Sequence, residues 1–187
     1  PKSLAAEFSK KPVKLENGLV IDYTLISVHK TNFVFASSET YLILTNVSFY
    51  AETRFEGGSC IKFVPTNSAR ITLNSNAVFT SSAFRPVVFT ARDDHACGER
   101  IGTADLNGHY AYAGLYVNTA GATAGITANN LIFKHALTGI YLVGRQDHVF
   151  SHIQMVNCGS GIKGSSTTYH LRNALMDNVR TNFTGGS

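Results

Sequence analysis

From Leu19 onward the chain advances in short β-branched and aromatic runs: Leu19-Val20-Ile21, Leu25-Ile26-Ser27-Val28, Phe33-Val34-Phe35 and Tyr41-Leu42-Ile43-Leu44. Asn-Gly, Thr-Asn and Ser-Ser stand between them, punctuation that suits strands and turns. Further on the runs fall into a repeat. Asn130-Leu131-Ile132-Phe133 is followed by Gly139-Ile140-Tyr141-Leu142. The phrase returns 22 residues later as His152-Ile153-Gln154-Met155 and Gly161-Ile162-Lys163-Gly164. A third pass starts at Ala174-Leu175-Met176 and weakens into Asn182-Phe183-Thr184-Gly185. Self-similarity at a period of roughly 20–50 residues marks a stacked-repeat protein. Alternating runs without helical spacing make each repeat a coil of strands.

The repeat extends backwards through Gly58-Ser59-Cys60-Ile61-Lys62-Phe63, Arg85-Pro86-Val87-Val88-Phe89 and Gly114-Leu115-Tyr116-Val117, spaced 26, 28, 25 and 22 residues on to Ile140 and Ile162. A second column runs Val47, Ile71, Leu131, Ile153, Leu175. Its 60-residue gap between Ile71 and Leu131 predicts inserted chain at about 91–109. A solenoid tolerates this, because insertions leave through turns while strands stay stacked. The expected architecture is an all-β parallel β-solenoid of about 6–7 coils over 19–187, preceded by an N-terminal segment or cap, 1–18. Leu4, Ala5, Ala6 and Phe8 fit one short capping helix there. Stacking at about 4.8 Å puts like residues on like. Asn129, Ser151 and Asn173 are expected in one polar column and His148 with His170 in another, both structural ladders first.

Composition sharpens this only in places. The chain has 187 residues, 44% apolar and 15% charged, which suits one folded domain. A net charge of +4 is spread thinly, with Lys10-Lys11 and Lys14 as its only local run, too little for a nucleic-acid footprint. No apolar segment reaches the roughly 18 residues a spanning helix needs. The start at Pro1 suggests a processed or excised piece. Cys60, Cys97 and Cys158 have no metal-ligand spacing. Cys60 and Cys158 are expected to pack as small apolar side chains, and Cys97, in a polar loop, to be a free thiol or a link to another chain.

The phrases NNLIFKHALTGIYL and FSHIQMVNCGSGIKG resemble the right-handed parallel β-helix of the pectate-lyase-like superfamily, and FEGGSCIKF and RPVVFTARDD resemble coils of large secreted bacterial β-helix proteins. The resemblance spans roughly 41–184 and implies a fold more than an activity. Enzymes of that superfamily act on acidic polysaccharides. Galacturonases share an Asp-Asp pair, a Gly-His-Gly and an Arg-x-Lys. Here Asp93-Asp94 supplies the pair, Gly108-His109-Tyr110 is the nearest match to the second, and no Arg-x-Lys occurs. A carboxylate pair must straddle the scissile bond, whereas adjacent Asp residues in a strand face opposite ways and in a polar insertion are commonly turn formers. Pectate lyases imply Ca²⁺, with Asp93, Asp94, Glu99 and Asp105 as candidate ligands; the bland alternative is a solvated loop.

Two further clusters carry chemistry. In Arg145-Gln146-Asp147-His148, Asp147 is placed to orient His148 as an acid–base catalyst, or His148 and His170 as metal ligands, with His152 nearby. Tyr116 and Tyr141, each following an inward residue, are expected as an outward aromatic column that stacks on a sugar or packs beneath the insertion. Asn46-Val47-Ser48 and Asn182-Phe183-Thr184 match a glycosylation acceptor and matter only in a glycosylating host. The first functional reading is a non-catalytic extracellular or cell-surface β-solenoid, structural or adhesive, self-associating through its ends or belonging to a longer parent chain. The second is a lyase or hydrolase of acidic glycans, or a glycan-binding fragment of one. A viral attachment module shares the features of the first.

Overall fold

Each coil turns alternate apolar residues inward and leaves its backbone groups for the coils on either side. A computed structural model describes residues 22–66, 68–102, 104–119, 125–144 and 147–185. In chain order the strands are β1 (Thr24–Ile26), β2 (Lys30–Phe35), β3 (Thr40–Ile43), β4 (Asn46–Glu56), β5 (Cys60–Phe63), β6 (Arg70–Leu73), β7 (Ala77–Thr80) and β8 (Val87–Ala91). They continue with β9 (Ala113–Asn118), β10 (Thr127–Lys134), β11 (Thr138–Val143), β12 (Asp147–Val156), β13 (Ser160–Ser165), β14 (Thr168–Asp177) and β15 (Thr181–Thr184).

Two parallel sheets result. Sheet one runs β1-β3-β5-β8-β10-β12-β14, and sheet two runs β15-β13-β11-β9-β6-β4-β2, with β7 beside β4. Each coil gives one strand to each sheet, making a β-solenoid of about 7 turns with no helix among the described residues. Inside sheet one, Tyr41, Ile61, Phe89, Phe133, Met155 and Met176 form a single column. Inside sheet two the column is Val47, Ile71, Leu115, Ile140, Ile162 and Phe183. Phe35, Phe55 and Phe79 stack face to face at 4.7 Å, as do Phe89 and Phe133, which is the strand spacing itself.

The long strands bend at residues with left-handed backbone: Asn130 (φ 48°), His152 (φ 54°) and Asn173 (φ 52°) in β10, β12 and β14. A second such column, His135, Asn157 and Asn178 (φ 55°, 54° and 50°), turns the chain from sheet one to sheet two. Asn and His tolerate this conformation better than most residues.

Several expected columns shift. Val87 lies beside Leu131, not Leu115, and Ile71 lies beside Leu115, not Leu131. Both sheets carry the same short apolar phrase, so spacing alone mixed the two faces. The last repeat is one residue short, so Ser151 meets Arg172, Ile153 meets Ala174, and Leu175 pairs with Gln154 and stands 56% exposed. His148 therefore pairs with Tyr169, and His170 with Val149; the expected His148–His170 stack does not form. The insertion occupies 92–112, between β8 and β9, close to the expected 91–109. The expected N-terminal capping helix and the expected Leu19–Ile21 strand fall outside the described residues.

Candidate binding surfaces

The insertion folds back over the outer face of sheet one. Cys60 at the start of β5 is bonded to Cys97, with Cα atoms 6.3 Å apart. This corrects the expectation that Cys60 packs as an apolar side chain and that Cys97 is free or joined to another chain. Cys158 does pack buried and free, and burial pushes its thiol up. Lys62, next on the outer face of β5, is fully covered, and its Nζ donates to the carbonyl oxygens of Asp94 (2.8 Å) and Glu99 (2.6 Å). Glu99 N donates to Thr40 Oγ1 at 3.0 Å.

Asp93 and Asp94 sit under this loop, 4% and 6% exposed. Asp93 accepts two 3.1 Å bonds from Arg92 and a 2.6 Å bond from the Tyr110 hydroxyl. Asp94 accepts from Thr90 Oγ1 (2.6 Å), Ala96 N (2.9 Å) and Lys134 Nζ (3.4 Å). Burial pushes both carboxyls up, but these donors together outweigh it and hold both below the usual carboxylate value. Both are ionised and fully engaged within the fold. Glu99 and Asp105 have exposed side chains, and no group of three or more His, Cys, Asp or Glu converges as a metal cage among the described residues. Ca²⁺ needs about six to eight oxygens; a set already bonded to Arg92, Tyr110 and Lys134 does not fit it.

His148 points into the core, 0% exposed, beside Phe150. Its Nδ1 accepts from Ile126 N at 3.1 Å, so the hydrogen of the neutral ring sits on Nε2, which has no partner. Burial holds this imidazole below its ordinary value despite Asp147. Asp147 bonds Thr168, and Arg145 and Gln146 lie outside the described residues. With no exposed surface, His148 has no contact with anything in solution. Its role is to hold the neighbouring coil's backbone.

Sheet two presents a different surface. Tyr116 and Tyr141 pair in register, their rings 4.9 Å apart edge to face, with the Tyr112 ring 6.4 Å from Tyr141. The expected outward column therefore exists. Its ring faces are occupied by cations, which changes what it can do. The Arg70 guanidinium lies 5.2 Å from the Tyr112 ring and 4.7 Å from Tyr116, and Lys163 Nζ lies 4.7 Å from Tyr141. Such contacts hold the long side chains in place, each worth about 0.5–1 kcal/mol at exposed sites. Burial, then Tyr141, push the Tyr116 phenol up, keeping it a neutral donor. The strands β6, β9, β11, β13 and β15 contain no Asp or Glu at all. Across these five strands the face offers cationic groups and phenol hydroxyls rather than bare rings for stacking. The carboxylates of sheet two, Glu52 and Glu56, stand on β4, bonded to Arg54 and to Ser37 N.

Lys163 was readable from the repeat, because it follows Ile162 as Tyr141 follows Ile140; Arg70 carries no such signal. Sequence reading also passed over Phe84. It stands 98% exposed on a tight turn closed by mutual Ser82–Arg85 backbone bonds of 3.1 Å. Beside it a groove of about 440 Å³ runs past Ile132 and Gln154 on sheet one. Nothing in a lone Phe within a Ser-rich turn distinguishes it beforehand.

No protein-family model, no curated protein and no solved structure matches this chain.

Proposed function

We propose that this chain is a non-catalytic surface or adhesive β-solenoid that holds an acidic glycan along the outer face of sheet two. The observation that carries this is the ladder of Tyr116 and Tyr141, with Tyr112 at the end of the insertion beside them, bracketed by Arg70 and Lys163 on strands β6, β9, β11 and β13 that carry no carboxylate. Fixed cations beside phenol donors suit carboxylate or sulfate groups carried on a sugar chain. The Cys60–Cys97 bond supports an oxidising, extracellular setting. On this reading the chain is a right-handed β-helix of the pectate-lyase-like type, akin to the large secreted bacterial β-helix proteins, that keeps a polyanion-facing surface and does not cleave. The engagement of both Asp93 and Asp94 within the fold favours binding over hydrolysis. Self-association is a second element of the proposal. Among the described residues β14 and β15 each pair on one side only, and Phe183 of the inner column is 51% exposed, a surface that a second copy would cover.

The test is affinity electrophoresis and calorimetry against polygalacturonate, a sulfated glycan and a neutral glucan, with and without Ca²⁺. Expected are binding to the two polyanions, at least tenfold weakening by Lys163→Glu or Tyr141→Ala, and no new reducing or unsaturated ends. Equal affinity for the neutral glucan would sink the binding reading. Depolymerisation would restore the lyase or hydrolase alternative.

A further inference from the structure

The column His135, Asn157 and Asn178 forms one wall of an open recess of about 650 Å³, where sheet one turns into sheet two. Asn178 Nδ2 donates to Asn157 Oδ1 at 2.7 Å, so the two amides are aligned along the solenoid axis. The facing wall is the end of the insertion, with His109 at its tip. That wall is held in place by Tyr110, whose N donates to His135 O at 2.7 Å and whose hydroxyl donates to Asp93. Arg180 closes the third side, its N donating to Cys158 O at 3.2 Å. Gly159 forms part of the floor. A side-chain carbon there would lie 2.7 Å from Leu137 O and 3.3 Å from His109 Cε1, so it is glycine that lets Leu137 and His109 approach this closely.

The lining contains two imidazoles, one guanidinium and three primary amides, those of Asn107, Asn157 and Asn178, and no Asp or Glu. Arg180 brings a fixed positive charge and the rings and amides bring N–H donors, a combination that suits an anion. Burial is what holds the His135 imidazole below its ordinary value; Asp94 opposes it, and Lys134 and His109 add smaller pushes in the same direction as burial. His109 also lines a smaller cavity of about 170 Å³ together with Tyr112 and Leu137. Tyr112 belongs to the tyrosine ladder, so the recess and the ladder are joined through His109 by a continuous surface.

We propose that His109, His135 and Arg180, aided by the Asn157 and Asn178 amides, form an oxyanion site that takes a carboxylate or sulfate group. Resting on the glycan reading above, this site receives the acidic substituent of a chain that also lies on Tyr112, Tyr116 and Tyr141. Free sulfate offers the same chemistry, and the experiment separates the two sources. The full chain, with isotope-labelled histidine, is titrated with inorganic sulfate, with galacturonate and with an acidic oligosaccharide, and the imidazole signals are followed by NMR. The signals of His109 and His135 move together on adding sulfate, and saturating sulfate raises the His135 titration midpoint. Arg180→Ala, a change at an exposed side chain, reduces the sulfate affinity read at the two imidazole signals at least tenfold, while Lys163→Glu, outside the recess, leaves the movement of those two signals in place. The oligosaccharide binds more tightly than the monomer and loses affinity with either variant. Sulfate binding without any oligosaccharide binding would uphold the oxyanion site and remove the glycan reading. Oligosaccharide binding that depends on Lys163 but leaves both imidazoles unmoved and ignores Arg180→Ala would overturn the site and leave the glycan reading standing.

Discussion

In three sheet-two strands, β9, β11 and β13, the glycine before the inward residue owes its place to a close approach. A side-chain carbon at Gly139 would lie 2.9 Å from Gly161 O and 3.0 Å from Met155 Sδ. At Gly114 it would lie 2.7 Å from Phe133, and at Gly161 it would lie 2.5 Å from Asn182 O. In these three coils a bulky residue of sheet one, Phe133, Met155 or Met176, fills the space that the glycine of sheet two leaves open. Gly139→Ala pushes on a backbone carbonyl, which cannot rotate away as a side chain can. It should destabilise the fold by about 1–3 kcal/mol, the usual range for overpacking a filled core, read as a lower urea midpoint with an unchanged slope. Gly108 is the control, since nothing lies within 4 Å of it. Its left-handed φ of 70° makes Gly108→Asn the neutral choice there.

At the scale of elements, the insertion is stitched to the strands it covers rather than merely lying over them. Lys62 is buried because two loop carbonyls take the place of water, and desolvation still holds its ammonium below the ordinary value. Lys62→Met keeps the stem but leaves the Asp94 and Glu99 carbonyls without their donor. An expected loss of about 1–3 kcal/mol follows for stranded buried acceptors, and limited proteolysis should first cut within 95–102. Reducing the Cys60–Cys97 bond, which closes 37 residues, should lower stability by about 3–4 kcal/mol on the chain-entropy account. Urea titrations with and without reductant measure it; an unchanged midpoint would mean that the loop contributes nothing to the folded state. None of this stitching was visible beforehand. Cys60 and Cys97 sit in different phrases, and a Lys alternating with Ile61 and Phe63 looks like a solvated position until something covers it. What could be read was the strand phrase itself, because Leu131–Ile153 and Ile140–Ile162 recur at one spacing and are true neighbours. Further back the coils differ in length, and the same apolar phrase serves both sheets. There Val87 and Ile71 were placed on the wrong face. Tyr116 and Tyr141 were found because they follow inward residues of the regular part, whereas Arg70, at the head of β6, and His135 and Arg180, on turns, were missed because charge has no period of its own.

For the molecule as a whole, a core stacked from about seven similar coils makes each buried titratable group a local weak point in an otherwise repetitive structure. His148 is wholly buried with Nε2 unpaired, and burial holds its imidazole below the ordinary 6.5. The folded state therefore resists taking up a proton that the unfolded chain accepts. Stability is fully present above about pH 6.5, and it declines as pH falls from there toward the lower folded value, because the unfolded chain then binds more protons. His135 adds to this in the same direction. A second decline belongs to Asp93 and Asp94, whose folded values lie below the ordinary 3.8. Their contribution is present above that value and is lost as pH falls through the folded ones. Urea midpoints between pH 8 and pH 3 should thus fall in two stages, one below 6.5 and one below 3.8. His148→Asn keeps a side-chain acceptor for Ile126 N and removes the titration. It should flatten the first stage without abolishing it, since His135 remains, and leave the second stage in place. A first stage equally steep in this variant would show that the buried ring opens to water before it is protonated, and that the coils around β12 separate locally rather than as one cooperative stack.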